Sequence, residues 1–523
     1  MQRRLLIVKT IVLTTCLMLA LTLILQMQGA GYSEAAVRQS QTVLTAGTAA
    51  GTIYDRELRP LVNRETALYA AVPDAASSEM ILPYMDEVTP LLAGVQSGKP
   101  FLCKVSADPG DEDIPVLSLP VRSGSGQPAP HVIGYTQSGE GVTGLEHDYD
   151  RILRSTNDRA SVTYVTDAKG HVLLGEPVTV RQVQGSDPSL VTTLDADIQQ
   201  LCEGLEMEKG AVVVMDVESG DVLAMASFPT YDPENLAAAL DDPDSPLIDR
   251  CLCAYSVGSI FKLVTCAAAY REGILDFETE CTGKTEISGQ LFRCHDWRGH
   301  GLVDMRQAMV YSCNTYFVEL SELLDPAVML ETAQDLGFGT QIALSGSIVS
   351  SGGTLPSPDE LKRPAEMANF CFGQGLLTAT PLQVTQMTCG IANDGRMPLA
   401  RLIRGYTTDG ETLLDEKPPM YAYALRRNAA YYLQGLMISA INENESSNAV
   451  PETVIAAAKT STAQTGRYDE DGQEYCHAWI TGYFPIEAPR YAVTVLVEDG
   501  GYGNEAAAPL FRELADGIMA LHR

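Results

Sequence analysis

Ser259-Ile260-Phe261-Lys262, Ser312-Cys313-Asn314 and Lys459-Thr460-Ser461 follow one another along the chain, and together they decide how it is read. The first stretch puts a hydroxyl and an amine three residues apart, on one face of a helix. The second adds another hydroxyl and a side-chain amide. The third adds a second amine after the apolar run Val454–Ala458, on an expected strand. A serine hydroxyl is a poor nucleophile until a base takes its proton. Lys262 serves as that base when neutral, and its neighbours Phe261, Leu263 and Val264 imply the apolar setting that lowers a lysine pKa. Ser259 follows Gly258, so it is expected where a loop turns into a helix. The free backbone N–H groups there suit an oxyanion.

Each stretch is weak alone. Ser155-Thr156-Asn157 and Ser446-Ser447-Asn448 fit the second pattern and read as polar loops. Ser312 differs because it lies between apolar helical stretches, and Lys262 is the one lysine with a serine three residues before it. In a joint site, Ser312 relays a proton between Lys262 and a leaving amine, and Asn314 holds a substrate amide. Lys459 and Thr460 clamp a terminal carboxylate by charge and hydrogen bond. The backbone N–H of Thr462 joins that of Ser259 as an oxyanion hole, worth about 3–4 kcal/mol per donor in a comparable serine enzyme. The arrangement describes serine acyl transfer on a carboxylate-ended substrate.

Composition narrows the partners. The 523 residues allow about two to four domains. A net charge of −31 argues against nucleic acid, which needs clustered Lys and Arg. Arg3, Arg4 and Lys9 precede an uncharged run from Thr10 to Ser33, long enough to span a bilayer as a helix, with the N-terminus on the cytoplasmic side. A cleaved signal peptide would carry a shorter apolar core. The 12 cysteines are too irregular for a small disulfide scaffold. Cys281 and Cys294 flank an expected hairpin that a disulfide would close. No metal is expected, since there is no paired CxxC and no HExxH, and no cofactor is implied.

Along the chain, residues 31–51 read as a polar stalk, His131–Tyr135 as a strand and Gly144–Tyr149 as a helix start. From Val191, a helix, a strand–turn–strand over Ala211–Ala226, several helices and three late strands (Val454–Ala463, Ala478–Tyr483, Tyr491–Val497) precede a last helix, Pro509–Leu521. Strands, then helices, then strands describe an α+β domain whose sheet comes from both ends of its sequence.

Read together, these residues resemble a class B penicillin-binding protein. The likeness extends to Tyr255-Ser-Val-Gly258 before the nucleophile, Gly373-Gln-Gly375, Ala379-Thr-Pro-Leu-Gln383, His477-Ala-Trp-Ile480, Glu498-Asp-Gly-Gly501 and Glu505-Ala-Ala-Ala-Pro509. Upstream, Gly51-Thr-Ile-Tyr-Asp-Arg56, Gly139-Glu-Gly141 and Gly144-Leu-Glu146 resemble its pedestal motifs. The resemblance implies a transpeptidase domain of the penicillin-binding-protein/β-lactamase type over 191–523, with a central antiparallel sheet, flanking helices and a helical subdomain. It implies a β-rich stalk and pedestal of the dimerisation type over 29–190, and a cytoplasmic tip and transmembrane anchor over 1–28. The implied activity is peptidoglycan D,D-transpeptidation through a serine acyl-enzyme, with β-lactams acylating Ser259 and a membrane-embedded glycan polymerase as partner. Two departures stand out. Ser461 replaces the usual glycine, where a side chain crowds the substrate pocket or adds a hydrogen bond, and Ala50 replaces an arginine before Gly51. Hydrolysis by a carboxypeptidase or β-lactamase, with Glu366 as a water-activating candidate, and a non-catalytic scaffold or β-lactam sensor are the alternatives.

Overall fold

The computed structural model describes residues 2–521 apart from 49, 86, 125, 155–158, 174, 183–187 and 470. The expected polar loop at Ser155-Thr156-Asn157 lies outside the described residues. The chain forms two compact units: residues 1–50, 64–122 and 156–185 make the first, and 51–63, 123–155 and 186–523 the second. Residues 51–63 and 123–155, expected in the pedestal, therefore belong to the second unit.

In the first unit, helix α1 (Gln2–Gln39) contains Leu6–Gln26, 21 residues with a mean hydropathy of 2.2. At 1.5 Å per residue that stretch spans about 30 Å, enough to cross a hydrocarbon core. The helix runs on past the expected anchor because 32–39 contain no breaker. Gln41–Thr48, expected as stalk, is a strand paired antiparallel with Arg159–Val165. A second three-stranded sheet orders Phe101–Val105, Glu65–Val72 and Val116–Val121. Tyr164 joins the two by donating its hydroxyl to Ala71 O at 2.7 Å.

The second unit is built on five antiparallel strands: β1 (Gly210–Asp216), β2 (Val222–Phe228), β3 (Ala457–Tyr468), β4 (Glu474–Phe484) and β5 (Tyr491–Val497), in the spatial order β2-β1-β5-β4-β3. Around it lie α2 (Ala196–Glu203), α3 (Lys262–Glu272), α4 (Met305–Val310), α5 (Asn314–Leu320), α6 (Pro381–Ala392) and α7 (Gly503–Leu521). Side chains alternate across a strand, so each face of the sheet has its own core. Ala211, Val213 and Met215 share one with Leu263 and Val264 of α3 and Val384, Met387 and Ile391 of α6. Val212, Val214, Val493 and Val495 share the other with Ile198 and Cys202 of α2 and Phe511, Leu514 and Ile518 of α7. Burial on both faces explains why these strands are continuously apolar rather than alternating.

Several motifs gain physical reasons. Thr380-Pro-Leu-Gln383 is a capping box: Gln383 N donates to Thr380 Oγ1 at 3.1 Å, and Thr380 N to Gln383 Oε1 at 2.8 Å. Pro381 sits at the first helical position, where its missing N–H costs nothing. Buried Asp55 accepts from Glu57 N, Arg59 N and Arg59 Nε, which fastens the Gly51–Arg56 turn. His131–Tyr135, expected as a strand, instead has its first three residues in a short helix, Pro130–Ile133, ended by Gly134 at φ +83°. A proline at the first helical position and a glycine after the last are helix boundaries, and they outweigh the β-branched pair between them.

Candidate active site

Tyr255–Ser256 pairs antiparallel with Thr378–Ala379 and leads to Gly258 at φ +61°. The turn Gly258–Phe261, tighter than an α-helix, carries half-buried Ser259 and runs directly into α3. Neighbours hold this turn tightly. A Cβ on Gly258 would lie 2.4 Å from Ser461 Oγ, and one on Gly373 would lie 1.8 Å from Gly258 O. Glycine is required at both positions, and Gly258 N donates to Gly373 O at 3.0 Å. The strand β4 contributes Trp479, whose Nε1 donates to Ser256 O at 3.0 Å.

Lys262 follows the turn and is fully buried. Its amine donates to Ser312 O at 2.8 Å, Asn314 Oδ1 at 2.8 Å and Ser312 Oγ at 3.3 Å, and lies 5.3 Å from the Phe317 ring centre. Burial lowers its pKa to about 8, against nearby cysteines that raise it. The Lys459 amine donates to the same Ser312 Oγ at 3.1 Å and to Thr460 O at 2.9 Å. Burial lowers its pKa to about 7, and the charge of Lys262 pushes the same way. Ser312 therefore stands between two amines. It sits at φ +50°, a region that non-glycine residues rarely adopt, in the sharp turn between α4 and α5. Its place between two helical stretches is as the sequence indicates. Asn314 opens α5, and its Nδ2 donates to Arg293 O at 3.2 Å.

Strand β3 is the sheet edge nearest this turn. Lys459, Ser461 and Ala463 alternate inward as buried residues, while Thr460 and Thr462 are half-buried. The Thr462 hydroxyl accepts from Gly503 N at 3.1 Å, at the start of α7. Of the two effects expected of a side chain at 461, crowding or an added hydrogen bond, the structure shows the hydrogen bond. Ser461 is 3% exposed, and its hydroxyl donates to Val257 O at 2.8 Å. It fastens the Gly258–Phe261 turn to β3.

Of the eight residues singled out from sequence, Lys262, Ser312, Asn314 and Lys459 are joined by hydrogen bonds. Ser259 and the Thr460–Thr462 stretch flank them through the Gly258–Ser461 contact. Sequence reasoning missed a supporting trio: the Tyr255 hydroxyl and Arg250 Nε both donate to Glu498 Oε1, at 2.5 and 3.0 Å. Their signal was the pairing of Tyr255 and Glu498 among the family-like stretches. Cys281 and Cys294, whose pairing the sequence left open, are free thiols in the structure, and both lie against His300 Nδ1, at 3.5 and 3.6 Å.

Residues 210–516 match the penicillin binding protein transpeptidase domain. The chain belongs to that family. Among named relatives, it is 30% identical over 417 residues to the peptidoglycan D,D-transpeptidase PbpA of Mycolicibacterium smegmatis, covering 73% of this chain and 80% of that one. It spans 60% and 58% of the length of two longer relatives at 27% identity. Penicillin-binding protein A of Mycobacterium tuberculosis, solved as a ceftriaxone acyl-enzyme, superposes with a TM-score of 0.64 at 24% identity over 77% of this chain and 93% of that one. A chain from a peptidoglycan synthase complex, described as coordinating polymerization and crosslinking, superposes with a TM-score of 0.70 at 24% identity over 97% and 98%. The fold is that of penicillin-binding transpeptidases, and the enzyme class is serine D,D-transpeptidase.

Two variants test how the turn is held. Ser461→Ala leaves Val257 O without its donor, so stability should fall by about 1–3 kcal/mol and fluorescent-penicillin acylation should slow several-fold. Calorimetry and stopped-flow labelling measure the two effects. Gly373→Ala forces the turn to shift and should slow acylation more than about tenfold, read by the same labelling assay.

Proposed function

We propose that this chain cross-links peptidoglycan stem peptides, with Ser259 as nucleophile, Lys262 as general base and Ser312 as proton relay. Ser259 Oγ attacks the penultimate D-Ala carbonyl, and its proton passes to Lys262 Nζ. The N–H groups of Ser259 and Thr462 receive the oxyanion. The C–N bond then breaks, and terminal D-Ala leaves with a proton returned through Ser312. The amine of a neighbouring stem attacks the ester, forms the cross-link amide and frees Ser259. Asn314 holds the donor peptide amide, while Lys459, Thr460 and the backbone of Ser461 receive the donor's terminal carboxylate. A β-lactam acylates Ser259 as a mimic of the D-Ala-D-Ala end.

The observation that carries this reading is the chain Lys262 Nζ–Ser312 Oγ–Lys459 Nζ, 3.3 and 3.1 Å long. Burial and mutual repulsion keep two ammonium ions from coexisting comfortably there, so near neutrality the pair holds about one proton. Burial lowers the pKa of both amines, so neither holds the shared proton firmly. A carboxylate arriving at Lys459 draws that proton there, because an opposite charge stabilises the ammonium form. Substrate binding thereby leaves Lys262 neutral and able to act as base.

The apolar helix anchors the chain in the membrane. Arg3, Arg4 and Lys9 orient its N-terminus to the cytoplasm and the catalytic unit outside. The 191–523 span works as the catalytic domain and shares its compact unit with 51–63 and 123–155, while the rest of 29–190 supplies the stalk and pedestal. The structural likeness to a synthase-complex chain supports a membrane-embedded glycan polymerase as partner.

Detergent-solubilised chain, incubated with a stem-peptide donor and an amine acceptor, should yield cross-linked product by mass spectrometry. Free acid alone would indicate a hydrolase, and stable penicillin labelling without product a sensor. Ser259→Ala should abolish labelling altogether; a retained adduct would move the nucleophile elsewhere. The acylation rate should follow a narrow bell in pH, with limbs near 7 and 8. The doubly protonated pair lacks a base below, and the fully neutral pair lacks a carboxylate anchor above. A rate independent of pH from 6 to 9, measured by stopped flow with about that range covered, would sink the shared-proton scheme.

A further inference from the structure

Three thiols and one imidazole meet beside the Ser312–Asn314 turn, and the catalytic scheme uses none of them. Cys281 ends the strand Thr279–Cys281, which pairs with Gly301–Val303, and His300 directly precedes that partner strand. Cys294 follows the hairpin strand Gln290–Arg293. Cys313 lies between Ser312 and Asn314. One ligand atom from each residue lies within 4.8 Å of all the others. The shorter edges are 3.5 Å (Cys281 Sγ to His300 Nδ1), 3.6 Å (Cys294 Sγ to His300 Nδ1) and 3.9 Å (Cys294 Sγ to Cys313 Sγ). A tetrahedral zinc with Zn–S of about 2.3 Å and Zn–N of about 2.05 Å has S···N edges of about 3.6 Å and S···S edges of about 3.8 Å. The match is close. The cysteines are 2%, 7% and 0% exposed, and Tyr311 stacks flat on the His300 ring at 5.1 Å, which orients it.

We propose that Cys281, Cys294, Cys313 and His300 bind one Zn2+ as a closed structural site that positions Ser312 and Asn314. Three soft sulfur ligands and an imidazole select zinc over magnesium or calcium. On binding, three thiols lose their protons to solvent, three S–Zn bonds and one N–Zn bond form, and no oxidant or reductant takes part. Four protein ligands fill the coordination shell, so the ion carries no catalytic water. Its effect is mechanical. Asn314 already bonds to Arg293 O, and the ion adds a second tie one residue away on each side, between Cys294 and Cys313. The hairpin thus fixes both neighbours of Cys313: Ser312 in its left-handed conformation, and Asn314 against Lys262.

The test uses the full chain in detergent, purified with reductant. Elemental mass spectrometry should find about one zinc per chain. Replacement by Co2+ should produce the thiolate-to-cobalt charge-transfer band and the visible bands of a tetrahedral site. Cys281→Ser and His300→Ala should each weaken metal binding about 10- to 100-fold and slow penicillin acylation about tenfold. A reduced wild-type chain with neither stoichiometric zinc nor a cobalt band overturns the site, whatever the variants do. Acylation unchanged after zinc removal overturns the positioning role. The metal readouts do not depend on Ser259 chemistry, so they stand or fall apart from the transpeptidase reading.

Discussion

One hydroxyl between two buried amines organises the second unit. Neither lysine has a carboxylate partner in the hydrogen bonds it makes; each amine is met by serine, asparagine or backbone oxygens. Taking an ammonium ion out of water costs several kcal/mol unless the geometry compensates. Here that penalty lowers the pKa of both amines, to about 8 for Lys262 and about 7 for Lys459. The surrounding structure keeps the amines in place despite their repulsion. Lys262 is fixed by α3, whose neighbouring side chains are buried against the sheet and α6. Lys459 is fixed by its ladder of hydrogen bonds with β4. The Ser312 turn is held open at a strained dihedral between two helices. A softer frame would let the amines separate into water, and the base would be lost.

Much of this was legible in the chain. The strand–turn–strand at Ala211–Ala226 and the late strands follow from continuous apolar runs, which is how strands buried on both faces appear. The four residues of the amine–hydroxyl network were legible as motifs because catalysis restricts the residue types at fixed spacing. The nucleophile's place at a helix start followed from Gly258. Less accessible was the way residues 51–63 join the second unit. That depends on the strand Ile53–Tyr54 lying parallel to Ser189–Thr192, a pairing between short segments far apart in sequence.

Side-chain direction was the least accessible feature. Ser461 departs from the family-like pattern, and a departure inside a binding motif invites the idea of a new ligand contact. The alternation of β3 decides otherwise: Lys459 and Ser461 share a face, but Lys459 is long enough to reach Ser312, while the short Ser461 meets Val257 O. The cysteine cluster was hidden for a related reason. Its members come from two hairpins and a helix start, so no local CxxC marks them, and the closest sequence pair suggested a disulfide. Only the fold brings Cys313, from within the catalytic motif, to the other three.

These features share a logic. Each residue of the proposed site is held by a neighbour: Gly373 and the Ser461 hydroxyl brace the Ser259 turn, Arg293 O accepts from Asn314, and Gly503 N donates to Thr462. Catalysis by preorganised dipoles requires that nothing reorganise when charge develops. An oxyanion hole made from a tight turn and a sheet edge meets that demand only if turn and edge cannot move apart. The hydroxyl of Ser461 bridges those two parts directly. A side chain at this position therefore ties the turn to the sheet edge through a hydrogen bond that glycine could not make.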